Sequence, residues 1–241
     1  MSKVADVRKE LQSMADPDKA AILQRFFKTG PGEYGEGDIL IGVMVPQSRQ
    51  VAKKFSQLPL GEVRTLLYSR IHEERLVALL ILTRQYSSAS SSRKKEEIMR
   101  FYLKHIKQVN NWDLVDLSAP NILGAYLFNS RDRRRLLYSL ARSENVWERR
   151  VAIVSTHRFI RNGDFSDTLK IAEMLLQEGT TLYTRPPVGC CAKWARGMLL
   201  WKRHFSRSTI VSCPGRCFAM RLKGCLRARG SATRKMLIDR W

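Results

Sequence analysis

Ile98-Met99-Arg100-Phe101-Tyr102-Leu103-Lys104-His105-Ile106-Lys107-Gln108-Val109-Asn110-Asn111-Trp112-Asp113-Leu114-Val115-Asp116 is the stretch on which the fold turns. Ile98, Phe101, Tyr102, Ile106 and Val109 recur at the three- and four-residue spacing of one helical face, so a helix is expected from Arg93 to Val109. Asn110-Asn111 interrupts it, and an Asn side chain suits the cap of a following helix. That second helix is expected from Trp112 to about Phe128.

The same grammar extends outward in both directions. Upstream, Leu76, Leu79, Leu80 and Thr83 mark one face of a helix over His72 to Tyr86, and the serine-rich Ser87 to Ser92 links it onward. Asp16-Pro17, Pro46 and Pro59 open earlier helices, at positions that tolerate a missing N–H. Gly30 to Asp38 is the longest loop, too rich in glycine for a helix. Downstream, helices are expected at roughly 130–143, 145–161 and 165–177, with Leu169, Ala172 and Leu176 on one face of the last. No β-alternation of useful length occurs. Helices of this size joined by short turns point to an α-helical solenoid. No repeat period is sharp, and a compact helical bundle fits the same stripes.

Composition narrows the partners. The 241 residues are 44% hydrophobic and 27% charged, enough apolar content for a core. A formal net charge of +21 favours a polyanion such as DNA, RNA or an acidic membrane surface. No apolar run approaches the roughly 20 residues that span a bilayer, and Met1 to Asp18 lacks an apolar signal core. A cytoplasmic protein without a membrane partner is therefore expected. The charge is uneven: residues 179–241 carry +13, with Asp239 as their one acid, and residues 1–178 carry +8. All the cysteines, Cys190, Cys191, Cys213, Cys217 and Cys225, fall in the same tail.

Two segments offer chemistry. Trp112 and Asp116 are four apart, so a helix places them on one face. A carboxylate beside an aromatic face suits a reaction that builds positive charge on a sugar. On the local pattern alone, a core Trp next to a surface Asp is the plainer reading. In Trp147-Glu148-Arg149-Arg150, two arginines beside an aromatic could fork onto a phosphate; a solvated arginine pair is the plainer alternative.

Taken in order, these segments resemble a known family. Phe26-Phe27-Lys28, Gly42-Val43-Met44-Val45-Pro46 with Arg49, Trp112-Asp113-x-x-Asp116 with Ala119-Pro120 and Gly124, and Trp147-x-x-Arg150 with Ala152 look like the AlkD-type alkylpurine DNA glycosylases throughout residues 1–178. The resemblance implies an all-α fold, an α-α superhelix of HEAT-like repeats with a basic concave surface. It implies double-stranded DNA containing N3- and N7-alkylated purines as the partner, a monomer, no cofactor and no metal. Family members cleave without the full base extrusion usual for glycosylases, because the alkylated base is already a cationic leaving group. By position, Asp116 would stabilise the developing oxocarbenium ion and place the attacking water. Trp112 would pack on the deoxyribose, and Arg150 would hold a nearby phosphate. Arg49, Lys28 and Arg149 are the expected DNA contacts. Where much of the family has a Tyr near the start, this chain is expected to have Phe26, and so to lack a hydroxyl there. A non-catalytic helical-repeat protein that binds nucleic acid or a protein is the alternative.

The tail departs from that family, which continues with a helix carrying a second active-site aromatic. This chain reads Glu178-Gly179-Thr180-Thr181, then Arg185-Pro186-Pro187, and two prolines interrupt any helix. A shifted reading frame accounts for it. Back-translation of Tyr183 to Trp194 permits Gly-Trp-Met-Leu-Arg-Glu, and that of Ser212 to Leu226 permits further family-like text in the same frame. Residues 179–241 are thus expected to be an aberrant basic tail, poorly ordered and outside the 1–178 repeat region. A zinc module built from Cys213, Cys217, Cys190, Cys191, His204 and Cys225 fits no common spacing, and a basic DNA-binding arm is the remaining alternative.

Overall fold

The structure, a computed structural model, describes residues 3–177, with side chains to Leu175. The expectations for residues 179–241, the aberrant tail, its cysteines and the zinc alternative, lie outside the described residues. Met1–Gly179 form one compact unit.

The described residues are an all-α helical-repeat superhelix. Its helices are α1 (Lys3–Ser13), α2 (Pro17–Phe26), α3 (Val45–Lys54), α4 (Leu60–Leu67), α5 (His72–Ser88), α6 (Ser92–Lys104), α7 (Trp112–Ser118), α8 (Ala125–Phe128), α9 (Arg135–Ala141), α10 (Val146–Ser155), α11 (His157–Ile160) and α12 (Ser166–Gln177). No strand occurs among the described residues; one isolated bridge pairs Ile39 with Ile71.

The starts follow from the expected punctuation. Asp16 accepts a hydrogen bond from Lys19 N–H and Pro17 opens α2. Pro59 immediately precedes α4, Ser91 caps α6 at Lys94 N–H, and Asn111 caps α7. The helix expected from Trp112 to Phe128 is broken in the middle. Pro120 has no N–H to donate and its ring crowds the preceding turn, so the chain widens into a π-turn over Pro120–Gly124, where Gly124 N–H reaches back five residues to Ala119 O. The stretch 145–161 likewise divides at Thr156 into α10 and α11.

Packing is layered. Helices α3, α5, α7, α10 and α12 touch in succession and form one row. Outside it, α4 lies on α5 and α9 lies on α10 and α12. Helix α5 is central, in contact with α1, α3, α4, α6 and α7. It is therefore buried on all sides from His72 to Leu82, not along one stripe as its spacing predicts. Each fully buried Leu, Ile or Val contributes about 1.5–3 kcal/mol of transfer free energy, and Leu79, Ile81, Leu82, Ile98, Leu114 and Ile122 are all fully buried here.

Candidate functional site

The row of touching helices carries most of the residues singled out from sequence. Arg49 is on α3, Trp112 and Asp116 are on α7, and Arg149 and Arg150 are on α10. Because α7 packs directly on α10, Asp116 and Arg150 meet although 34 residues separate them. Arg150 donates from Nε to Asp116 Oδ1 at 3.1 Å, and from Nη2 to Oδ1 and Oδ2, each at 2.9 Å. The two side chains are only 9% and 14% exposed. A guanidinium fork on a carboxylate in so dry a place is geometrically specific.

Aromatic rings wall the same corner. Phe27 stacks on Trp112, with centroids 5.3 Å apart and planes 17° from parallel, and also meets the His72 ring at 4.8 Å and, edge-on, the Phe26 ring at 5.3 Å. Phe26 stands edge-on to Trp112 at 5.9 Å and is largely exposed. Tyr34 stands edge-on to Trp147 at 5.9 Å. Burial raises the Tyr34 phenol pKa, with Asp113 and Glu33 adding to the rise; the Trp112 indole and the Arg150 charge pull the other way. Position 26 carries no hydroxyl, and the phenol beside Trp112 is that of Tyr34, brought by the 30–38 loop.

That loop is held by local geometry. Gly35 N–H donates to Lys28 O at 3.1 Å, and a Cβ at Gly35 would sit 2.7 Å from Phe27 O, so only glycine closes the loop this tightly. Lys28 follows the end of α2 with φ 52°, in the left-handed region, and its side chain is exposed. Asp38, at the loop's far end, is 4% exposed and accepts from His72 Nδ1 and Arg75 Nη2. Burial works against its charge, but the His72 bond and the Arg75 guanidinium hold its carboxyl below the usual range.

A profile of the DNA alkylation repair enzyme family matches residues 7–183. The chain belongs to this family. No curated protein matches it. DNA is the polymer on which a member of this repair family acts, and the row of α3, α7 and α10 presents the basic, aromatic and acidic groups just described.

In this DNA alkylation repair protein the expected site residues divide by environment. Trp112, Asp116 and Arg150 come together. Arg49 is exposed on α3 and makes no ion pair among the described residues. Arg149, half-buried, donates from Nη1 to the carbonyls of Ser143 and Glu144 at 2.7 and 3.1 Å, and so ties down the turn before α10. Asp113 braces α7 against α5: its Oδ2 lies 2.8 Å from His72 Nε2, while Oδ1 accepts from Leu114 N–H. Sequence reasoning missed Tyr34 and His72. An aromatic enclosed by glycines in the longest loop was the available signal for Tyr34, since loops on a rigid scaffold often carry function. His72 gave none, because His72-Glu73-Glu74-Arg75 reads as an ordinary solvated helix start. Among the described residues no cluster of His, Asp and Glu is arranged to hold a metal ion.

Proposed function

We propose that this protein is an alkylpurine DNA glycosylase, acting as a monomer on duplex DNA that carries N3- or N7-alkylated purines. The observation that carries the reading is the convergence of the Trp112 ring, the Asp116 carboxylate and the Arg150 guanidinium at the α7–α10 contact, in a chain of the DNA alkylation repair family. An N7- or N3-alkylated purine is cationic. When its bond to C1′ breaks, the bonding pair leaves with the base, which becomes neutral, and the sugar becomes an oxocarbenium ion. Asp116 would stabilise that cation and orient water. Water then adds to C1′ and gives up a proton, leaving an abasic site. The Trp112 face would bear on the deoxyribose and add cation–π attraction as charge develops.

The ion pair adds a condition to this mechanism. While Arg150 grips Asp116, the two charges largely cancel and the carboxylate exerts little field on a neighbouring sugar. A DNA phosphate offers Arg150 a second anion. Drawing the guanidinium toward phosphate leaves the Asp116 charge for the reacting centre. Arg49 and Lys28, both exposed, would contact the backbone. The direct test is incubation with duplex DNA bearing 7-methylguanine, scored for free base. Tight, lesion-preferring binding with no release would refute the enzymatic reading and favour a non-catalytic DNA-binding protein.

The same proposal includes the tail. Residues 179–241 are read as the product of a shifted frame; the family match ending at residue 183, close to where the composition changes, supports this. The coding nucleotide sequence from Gln177 to Thr184 decides it. An uninterrupted frame, with no insertion or deletion relative to its relatives, would refute it.

A further inference from the structure

The first turn of α5 buries four consecutive charged side chains, and each bonds to a distant part of the chain. Glu73 accepts from the N–H groups of Ile41 and Gly42, Glu74 pairs with Arg8, and Arg75 donates to Asp38. His72 joins two carboxylates. It is 1% exposed, with Nδ1 3.1 Å from Asp38 Oδ2 and Nε2 2.8 Å from Asp113 Oδ2. A neutral imidazole has one N–H and one lone pair, and an ionised carboxylate only accepts. Both bonds are made at once only by the imidazolium.

The two carboxylates belong to the two halves of the site. Asp38 closes the loop that carries Tyr34, while Asp113 follows Trp112 and precedes Asp116 by three residues. Phe27 lies between the His72 and Trp112 rings, so a charged His72 also gains from the Phe27 face. The charged groups facing His72 are Asp38 from the loop, Asp113 from α7 and Arg75 from its own helix. Burial and Arg75 oppose its charge; the Asp113 charge and the bonds to both carboxylates outweigh them and lift its pKa to about 9.

We propose that His72, held as an imidazolium, clasps the 30–38 loop to α7 and is thereby a positioning residue for Trp112, Asp116 and Tyr34. The effect on rate rests on the glycosylase reading above; the clasp itself rests on the geometry alone. His72 is buried and acts through Asp38 and Asp113.

The test uses the full chain and has three readouts. The first is the long-range 1H–15N spectrum of the histidine rings from pH 6 to 10, with His72 assigned by its loss in His72→Gln. Both His72 nitrogens should carry protons at pH 7.5, and one of the two protons should be lost only near pH 9. A neutral, single-tautomer pattern at pH 7.5 overturns the clasp. The second is hydrogen exchange. His72→Gln can make only one of the two bonds as a donor and should speed exchange at residues 34–38 and 112–114; unchanged exchange there overturns it too. The third is base release from 7-methylguanine duplex, well below the melting temperature of each protein. A misplaced catalytic group should lower kcat about 10- to 100-fold, with KM for DNA nearly unchanged. A residue that merely stabilises the fold would leave kcat of the folded protein unaltered, and that result overturns the positioning role. If the wild-type chain releases no base at all, the glycosylase reading fails and with it the effect on rate, while the spectrum and the exchange still decide the clasp.

Discussion

Replacing Asp116 by Asn removes one negative charge from the α7–α10 contact and leaves the size and one acceptor oxygen in place. Two separate consequences follow. The first is on stability, because Arg150, 9% exposed, loses its counter-charge. Deleting one partner of a buried pair outright costs about 3–5 kcal/mol. The retained Asn oxygen still accepts from Arg150, so the expected loss is smaller, about 1–3 kcal/mol. At roughly 2–4 °C per kcal/mol for a domain of this size, Tm should fall by about 2–12 °C. The second consequence is on rate. Removing one group that stabilises charge only in the transition state costs about 10²–10³-fold. Ground-state DNA binding should be unchanged or slightly tighter, since one repulsive charge near phosphate is gone and Arg150 is held less strongly. The assay is single-turnover release of 7-methylguanine from a duplex, at a temperature where circular dichroism shows wild type and Asp116→Asn equally folded, alongside equilibrium binding to the same duplex. If the folded variant releases base at the wild-type rate, Asp116 is not the carboxylate that meets the sugar cation. Should binding fall in step with release, its role is in recognition, and the mechanism proposed above is again wrong.

Arg49→Ala should weaken DNA binding across sequences and reduce the slope of log affinity against log salt by about one; an unchanged slope removes Arg49 from the DNA surface. Gly42 has φ +85°, and a Cβ there would lie 2.1 Å from Asp16 O. Gly42→Ala therefore combines a left-handed backbone with a collision against main chain, a cost on the order of 3 kcal/mol, read as a lower urea midpoint; a variant as stable as wild type would show the Asp16–Gly42 approach to be wrong. His72 has a folded pKa of about 9 against 6.5 for the free side chain. Because the folded value is the higher, its contribution is complete below about pH 6.5 and lost as pH rises through 9, on the order of 3 kcal/mol. Thermal melts of the wild type should fall over that window and those of His72→Gln should not.

Much of the fold was legible in the chain because its signals are local. Asp16-Pro17, Pro59 and Asn111 mark helix starts through hydrogen bonds or missing donors within a few residues, and the structure places helices after each of them. The break at Pro120 is equally local, yet the apolar spacing on either side of it reads as one helix. Helix α5 shows a different limit. Its stripe of Leu76, Leu79, Leu80 and Thr83 is genuine, but a helix enclosed by five others buries every face, and periodicity cannot report how many neighbours it has.

For the candidate site, the sequence by itself determined which residue types were available and which shared a helix: Trp112 with Asp116, and Arg149 with Arg150. It could not say that Arg150 would grip Asp116 while Arg149 turned to the carbonyls of Ser143 and Glu144. Adjacent residues on a helix point about 100° apart, and which of the two meets α7 depends on how α10 is rotated in the row. Only the tertiary structure decided that. It also decided that Tyr34, from a glycine-rich loop, supplies the phenol, and that the charged start of α5 is buried. Those outcomes depend on contacts between segments tens of residues apart, and a carboxylate or imidazole carries no mark in its local sequence of whether water or another charge will face it.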